Sequence, residues 1–363
     1  MFPAKCLFLF ALGALTLGVS AIPAQVAVPA PAAFALVSPA AIAALPARKS
    51  SPAASGILQH ATTDLSATPH PMAHIHTEGT LPHQGIRDAS IAAEADFPIT
   101  LDLALAYRLT NDRRYLDAAD RYLSAWASIY KPDFNPIDET RLMDLILAYD
   151  LVRADVSAPT REKMTALLRS LADGYAGEVV KKIADKGNWQ SHRVKLLTLT
   201  AFALGDDALI RQAHEAFSAH VKINIRPDGS VHDFYQRDAL HYVTYDLEPL
   251  TVACLAARTH GQDWFDESAP GSVAKGVDWL LPFATGQKSH VEFVNSKTAF
   301  DRKRAEAGEG EYGAHSWKPE AGLGLLTLAA AVDPARRAVC QQVATASGKT
   351  PTAWVTLLFW PTP

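Results

Sequence analysis

From about residue 89 onward, apolar positions recur three and four apart, the period of a helix that buries one side. The runs are separated by helix punctuation: TNDRR, KPDFNP, SAPT with Pro159 at a helix start, LGDD and RPDGS. The pattern predicts helices near 89–110, 115–130, 139–153, 159–185, 190–204, 208–223, 239–259, 272–286, 318–331 and 334–346. Strand-like alternation is confined to 291–294 and the C-terminal AWVTLLFW. Antiparallel helix pairs of irregular spacing predict an all-α fold, an α/α toroid or incomplete α/α barrel whose inner helices line a cleft. The stretch ALAYRLTNDRRYLDAADRYLSAW resembles a tetratricopeptide-type pair, with Tyr115, Ala119 and Tyr122 at helical spacing, but no constant period continues beyond it, which argues against a solenoid.

The N-terminal region differs in composition. Residues 1–21, with Lys5, an apolar run from Cys6 to Val19 and the small-residue pattern Val19-Ser20-Ala21, read as a secretory signal peptide. Residues 22–56 are dominated by Ala and Pro and read as a linker outside the fold, leaving 57–363 as the domain. This organisation implies a secreted or periplasmic protein with no membrane association once the signal is removed. Of the three cysteines, Cys254 and Cys340 would remain, in apolar helical patterns that suit buried thiols as well as one disulfide. A formal net charge of -4 argues against nucleic acid as a partner. An anionic ligand would need a locally basic cleft.

Two helices carry unusual polar faces. Between Asp238 and Ala257, Leu240, Val243, Leu247, Leu250 and Cys254 form an apolar stripe, and Asp238, His241, Tyr242 and Tyr245 fall roughly opposite it. Tyrosine and histidine there fit either a ligand-gripping cleft or a second packing face. In GNWQSHRVKLLTLTAFALGDD, Asn188, His192, Lys195 and Leu199 share one face, with Gln190 and Arg193 nearby and no carboxylate. Such donors suit an anionic carboxylate better than glycoside hydrolysis, which calls for paired carboxylic acids.

NWQSHR, followed about fifty residues later by ALHYVTYDLEPL and preceded by HTEGTLPHQGIRDAS, resembles the alginate lyase superfamily of α/α-toroid polysaccharide lyases over roughly residues 71–286. The resemblance implies β-elimination of a uronic-acid polymer, an anionic polysaccharide substrate and no cofactor or metal. By resemblance, Tyr245 takes the position of the catalytic tyrosine, its pKa lowered by nearby cations. His192 takes that of a histidine that binds the carboxylate or serves as base, depending on the epimer. Arg237 takes that of a carboxylate-contacting arginine, and Asn188 or Gln190 that of the carboxylate neutraliser. Trp189, Lys195, His241 and Tyr242 are expected around them as substrate-binding residues. Ser191 stands where an asparagine precedes the histidine, and Arg237 lies one residue upstream of the family spacing, which together imply a divergent branch acting on alginate, glucuronan or another polyuronate.

Other features join this picture. His74 to His76, with His83, lack the strand context of a metal site, so His76, Arg87 and Gln84 are read as lining the cleft entrance. Lys297, Arg302, Lys303 and Arg304 lie in a long loop that could form a basic lid, with Arg302 assigned to substrate. Trp126, Trp264 and Trp279 read as core. The competing functions are a hydrolase using Asp233, Asp246 or Glu248, and a non-catalytic polysaccharide-binding protein. Nothing in the sequence fixes an oligomeric state.

Overall fold

The computed structural model describes Met1 and residues 33–267 and 270–361. The signal-peptide reading and the first part of the Ala/Pro tract lie outside the described residues. The chain runs through α1 (Pro39–Ala44), α2 (Pro52–Thr63), α3 (Arg87–Glu94), α4 (Asp96–Thr110), α5 (Arg113–Ile129), α6 (Leu142–Val152), α7 (Ala158–Lys181), α8 (Asn188–Leu204) and α9 (Asp207–Asn224). It continues through α10 (His232–Arg237), α11 (Leu240–Thr259), α12 (Val273–Ala284), β1 (Val291–Glu292), α13 (Ala299–Glu306), β2 (His315–Ser316), α14 (Leu323–Val332), α15 (Arg337–Ser347) and α16 (Ala353–Phe359).

The architecture is an α/α toroid. Inner helices α4, α6, α8, α11 and α14 each pack on the next, and α5, α7, α9, α12 and α15 cover them from outside. Burial explains the division. On α8 every residue from Gln190 to Ala203 is buried, as an element covered on all sides requires. On α5 only Tyr115, Leu116, Ala118, Ala119, Tyr122, Leu123 and Trp126 are buried, a single stripe turned to the core. The predicted punctuation sets the ends: Ser157 caps α7 and Asp206 caps α9 through their side-chain oxygens, and Gly205 ends α8 at φ 64°. The run predicted over 89–110 divides at Ala95 into α3 and α4.

Two expectations fail, and both concern how the ring closes. The described part of the Ala/Pro tract is folded rather than a linker. Ala35, Leu36 and Val37 are fully buried, and their N–H groups converge on the Asp150 carboxylate at 2.7–3.1 Å. Phe34 stacks on His260, whose other face meets Phe202. The C-terminal AWVTLLFW is the helix α16 rather than a strand. It packs on both α14 and α2, and α2 packs on α4, so these two segments bridge the first and last inner helices. Arg48 ties them by donating to the Leu357 and Trp360 carbonyls at 2.5 and 2.6 Å. A short run of β-branched and aromatic residues fits a strand or a buried helix equally well by pattern, and only its neighbours decide. The only strands among the described residues, β1 and β2, pair antiparallel with Val291 opposite Ser316. Cys254 and Cys340 are buried free thiols.

Replacing Asp150 with Ala should leave three buried N–H groups without acceptors and cost about 3 kcal/mol. The expected result is a lower denaturant midpoint together with new proteolytic cleavage within residues 33–48, ahead of cleavage elsewhere.

Candidate active site

The N-terminal ends of α8 and α11, with the turn that leads into α6, meet at a cleft on the inner side of the ring. His192 and Tyr245 face each other there with ring centroids 4.5 Å apart. His192 Nδ1 lies 2.6 Å from Thr140 Oγ1, just ahead of α6, and the residue is only 3% exposed. Its Nε2 is buried without a hydrogen-bond partner. Burial, and then the Lys195 cation, hold the ring's pKa well below the ordinary histidine value, so the ring is neutral at neutral pH.

Pro249 lies inside α11, four residues after Tyr245. Having no N–H, it leaves the Tyr245 carbonyl without a helical donor. That carbonyl biases the His192 ring towards holding a proton, although no hydrogen bond of good geometry joins it to Nε2. A proline four residues after a tyrosine was a legible signal of this freed acceptor.

The Tyr245 phenol departs from the expectation of a lowered pKa. Burial pushes it up, Tyr242, Tyr312 and Glu94 push in the same direction, and Arg304 only partly opposes them. The two arginines instead address the neighbouring tyrosine. Arg237 donates to the Tyr242 hydroxyl and pairs with the buried Asp301 carboxylate, and Arg304 Nη1 approaches the same hydroxyl at 3.4 Å. Arg237 is thus already committed to Asp301 and Tyr242, rather than free for a carboxylate. Tyr242 is 5% exposed and belongs to a small core with Ala239 and Phe293.

The remaining expected residues divide into those near the cleft and those that hold the frame. His241 stacks with Tyr245, its pKa lowered to about 4 by burial and by Arg237. Asn188 is not free, because its backbone and side-chain N–H groups both reach the Asp233 carboxylate. Gly187 makes that approach possible: at φ 82°, a Cβ there would stand 2.1 Å from Asp233 Oδ1. Gln190 bonds the Val179 carbonyl and accepts from Arg193, so it too is structural. Lys195 is turned away from the substrate space, with Nζ 2.6 Å from Thr140 Oγ1 and 2.8 Å from its carbonyl. Trp189 is half-buried with the Arg193 guanidinium 5.5 Å from its ring centre.

Ser191, at the position expected to hold an asparagine, sits in a core network, bonded to His220 and Asp246 at 2.8 and 2.5 Å. Asp246 also accepts from Asn224, and Asp233 is held by Asn188, so the carboxylates considered for hydrolysis do not form a pair at the cleft. Asp238, expected on the cleft face, ends α10 at φ 51° and accepts from Asn295.

At the entrance, His76 Nδ1 meets the fully buried Asp138 at 3.0 Å, which also accepts the Thr77 and Glu78 N–H groups. The segment from β1 to β2 crosses the cleft as a flap. Arg87 on α3 pairs with Glu309, which also faces Arg304, so one acidic residue joins the flap to the opposite rim. Arg302 is exposed; Arg304 is the flap cation that turns inward. Sequence reasoning missed Thr140, Arg304, Tyr312, Glu309 and Glu94. Glu94 is 7% exposed, with Arg141 3.7 Å away, and burial raises its pKa to about 7. Residues from loops and from helices distant in sequence leave no periodic signature.

The profile of a family described as Alginate lyase matches residues 45–290. An alginate lyase of Stenotrophomonas maltophilia is 26% identical over 207 residues, covering 50% of this chain and 27% of that protein. The matched region therefore spans about a quarter of that curated relative. Among solved structures, an alginate lyase from Bacteroides ovatus superposes with a TM-score of 0.63 at 17% identity, covering 90% of this chain and 98% of that one. Alginate lyase A1-III from Sphingomonas species A1 gives 0.55 at 17% identity, covering 84% and 88%. At these identities the structures speak to the fold.

Replacing Glu309 with Gln should release both arginine contacts and loosen the flap. Hydrogen exchange across residues 299–312 should quicken several-fold, while global stability falls by no more than about 1 kcal/mol, as for a pair near the surface.

Proposed function

This chain belongs to the alginate lyase family, and from that premise we propose that it is a polysaccharide lyase cleaving a uronic-acid polymer by β-elimination. The polymer is alginate, its polymannuronate blocks or glucuronan, and the new non-reducing end is a 4,5-unsaturated uronate. The observation that carries the reading is the buried facing pair of His192 and Tyr245, ring centroids 4.5 Å apart, at the floor of the cleft.

The chemistry asks for three things. The proton on C5, next to the sugar carboxylate, must be removed; its electron pair forms the C4–C5 double bond as the bond from C4 to the glycosidic oxygen breaks; and that oxygen must receive a proton. Charge accumulates on the carboxylate as the C5 proton leaves, so donors placed there lower the barrier most. His192 Nε2 is the buried polar atom without a partner beside Tyr245, and an approaching carboxylate would supply one. Tyr245, its phenol protonated at neutral pH, is suited to deliver a proton to the departing oxygen. Arg304, at the Tyr242 hydroxyl and over the Tyr312 ring, brings local positive charge that the net charge of -4 does not supply. An export signal at residues 1–21 would deliver the enzyme to a secreted or periplasmic location, where such polymers are met.

The test is a panel of alginate, glucuronan, hyaluronan and pectate assayed for near-ultraviolet absorption by the unsaturated product. Tyr245→Phe should reduce turnover about 10²- to 10⁴-fold on the active polymer, with folding and polymer binding retained. Near-normal turnover would remove Tyr245 from proton transfer. New reducing ends without absorption would indicate a hydrolase, and binding without product a non-catalytic protein.

A further inference from the structure

Beneath the facing pair lies a second polar layer. Asp144 follows Thr140 by four residues on α6, Lys195 follows His192 by three on α8, and Glu248 follows Tyr245 by three on α11. Each inner helix therefore offers one group to the cleft and a charged group about one turn deeper. Lys195 is 5% exposed, and Asp144 and Glu248 are the carboxylates whose fields favour its charge against burial, which lowers its pKa to about 8. Its ammonium reaches up between the layers, 2.6 Å from Thr140 Oγ1 and 2.8 Å from the Thr140 carbonyl.

Hydrogen-bond valence gives each of these contacts a direction. An ammonium can only donate, so Thr140 Oγ1 accepts from Lys195. The hydroxyl has one hydrogen of its own to give, and His192 Nδ1 stands 2.6 Å away. No other acceptor for that hydroxyl is found among the described residues. If Nδ1 accepts, a neutral imidazole carries its proton on Nε2, the atom with no partner. The freed Tyr245 carbonyl acts in the same direction, favouring a proton on the ring.

We propose that Lys195 and Thr140 form a positioning relay that fixes His192 as the neutral Nε2–H tautomer, with that N–H presented to the cleft as a hydrogen-bond donor. Neither residue touches substrate; both act through His192. The relay assigns Lys195 a different place from the substrate contact expected of it, and explains why a cation is buried one turn below the site. The kinetic consequence rests on the lyase reading above, whereas the tautomer does not.

The test is ¹⁵N NMR of the full chain with labelled histidine, using long-range proton–nitrogen correlations to assign the two His192 nitrogens. In the unaltered protein, Nε2 should be protonated and Nδ1 should resonate as a hydrogen-bonded acceptor. In Thr140→Val, the Nδ1 resonance should move to the position of an unbonded imine nitrogen, and Thr140→Ser should restore it. In Lys195→Met, Thr140 becomes free to accept, and a population with the proton on Nδ1 should appear. On whichever polyuronate is turned over, Thr140→Val should lower kcat/KM about 10- to 100-fold, with Thr140→Ser close to the unaltered protein. A proton on Nδ1 in the unaltered protein would overturn the relay, as would an unmoved Nδ1 resonance in Thr140→Val. If no polyuronate is turned over while the resonances behave as expected, the lyase reading fails and the relay stands.

Discussion

Every charged group on the inner faces of the helical ring must find its partner within the protein, because burial withdraws the water that would otherwise solvate it. Lys195 illustrates the constraint: with carboxylates at Asp144 and Glu248 and two oxygens of Thr140 within reach, it keeps its charge near neutral pH. Asp233 and Asn188, Asp246 with Ser191 and Asn224, and Arg237 with Asp301 follow the same rule. Such groups are immobilised frame. The few inner polar atoms left without partners, His192 Nε2 foremost, are where a ligand would gain most.

The frame depends in turn on closure of the ring. The segment around Leu36, pinned by Asp150, and the short helix α16, joined to it through Arg48, bridge α4 and α14. Closure fixes where α6, α8 and α11 stand relative to one another, and therefore the 4.5 Å approach of His192 to Tyr245. Across the mouth, the flap is attached by polar contacts with Asp238, Arg237 and Arg87. Polar attachments of this kind exchange for water more readily than packed apolar surface, which suits a segment that must admit a polymer.

Much of this was legible in the chain. The helical period predicted the inner and outer helices because their burial is periodic, and the breaks carried caps whose chemistry is local, as at Ser157 and Asp206. His192 and Tyr245 stood out because such residues interrupt otherwise apolar helices. The N-terminal tract and AWVTLLFW were misread because alanine, proline and short β-branched runs are compatible with several structures, and only long-range packing selects one.

The assignment of partners was beyond the sequence. Asn188, Gln190, Lys195 and Arg237 are donors of the right kind in the right neighbourhood, yet each is turned to an acceptor inside the protein. Thr140 and Arg304, which complete the surroundings of the facing pair, lie 52 residues before His192 and 59 after Tyr245. The sequence by itself determined the helices, their buried faces and the two rings at the cleft, because periodicity and residue chemistry are local properties. The tertiary structure alone decided which donors remain free, because a hydrogen bond depends on distance and direction between groups that the chain brings together only on folding.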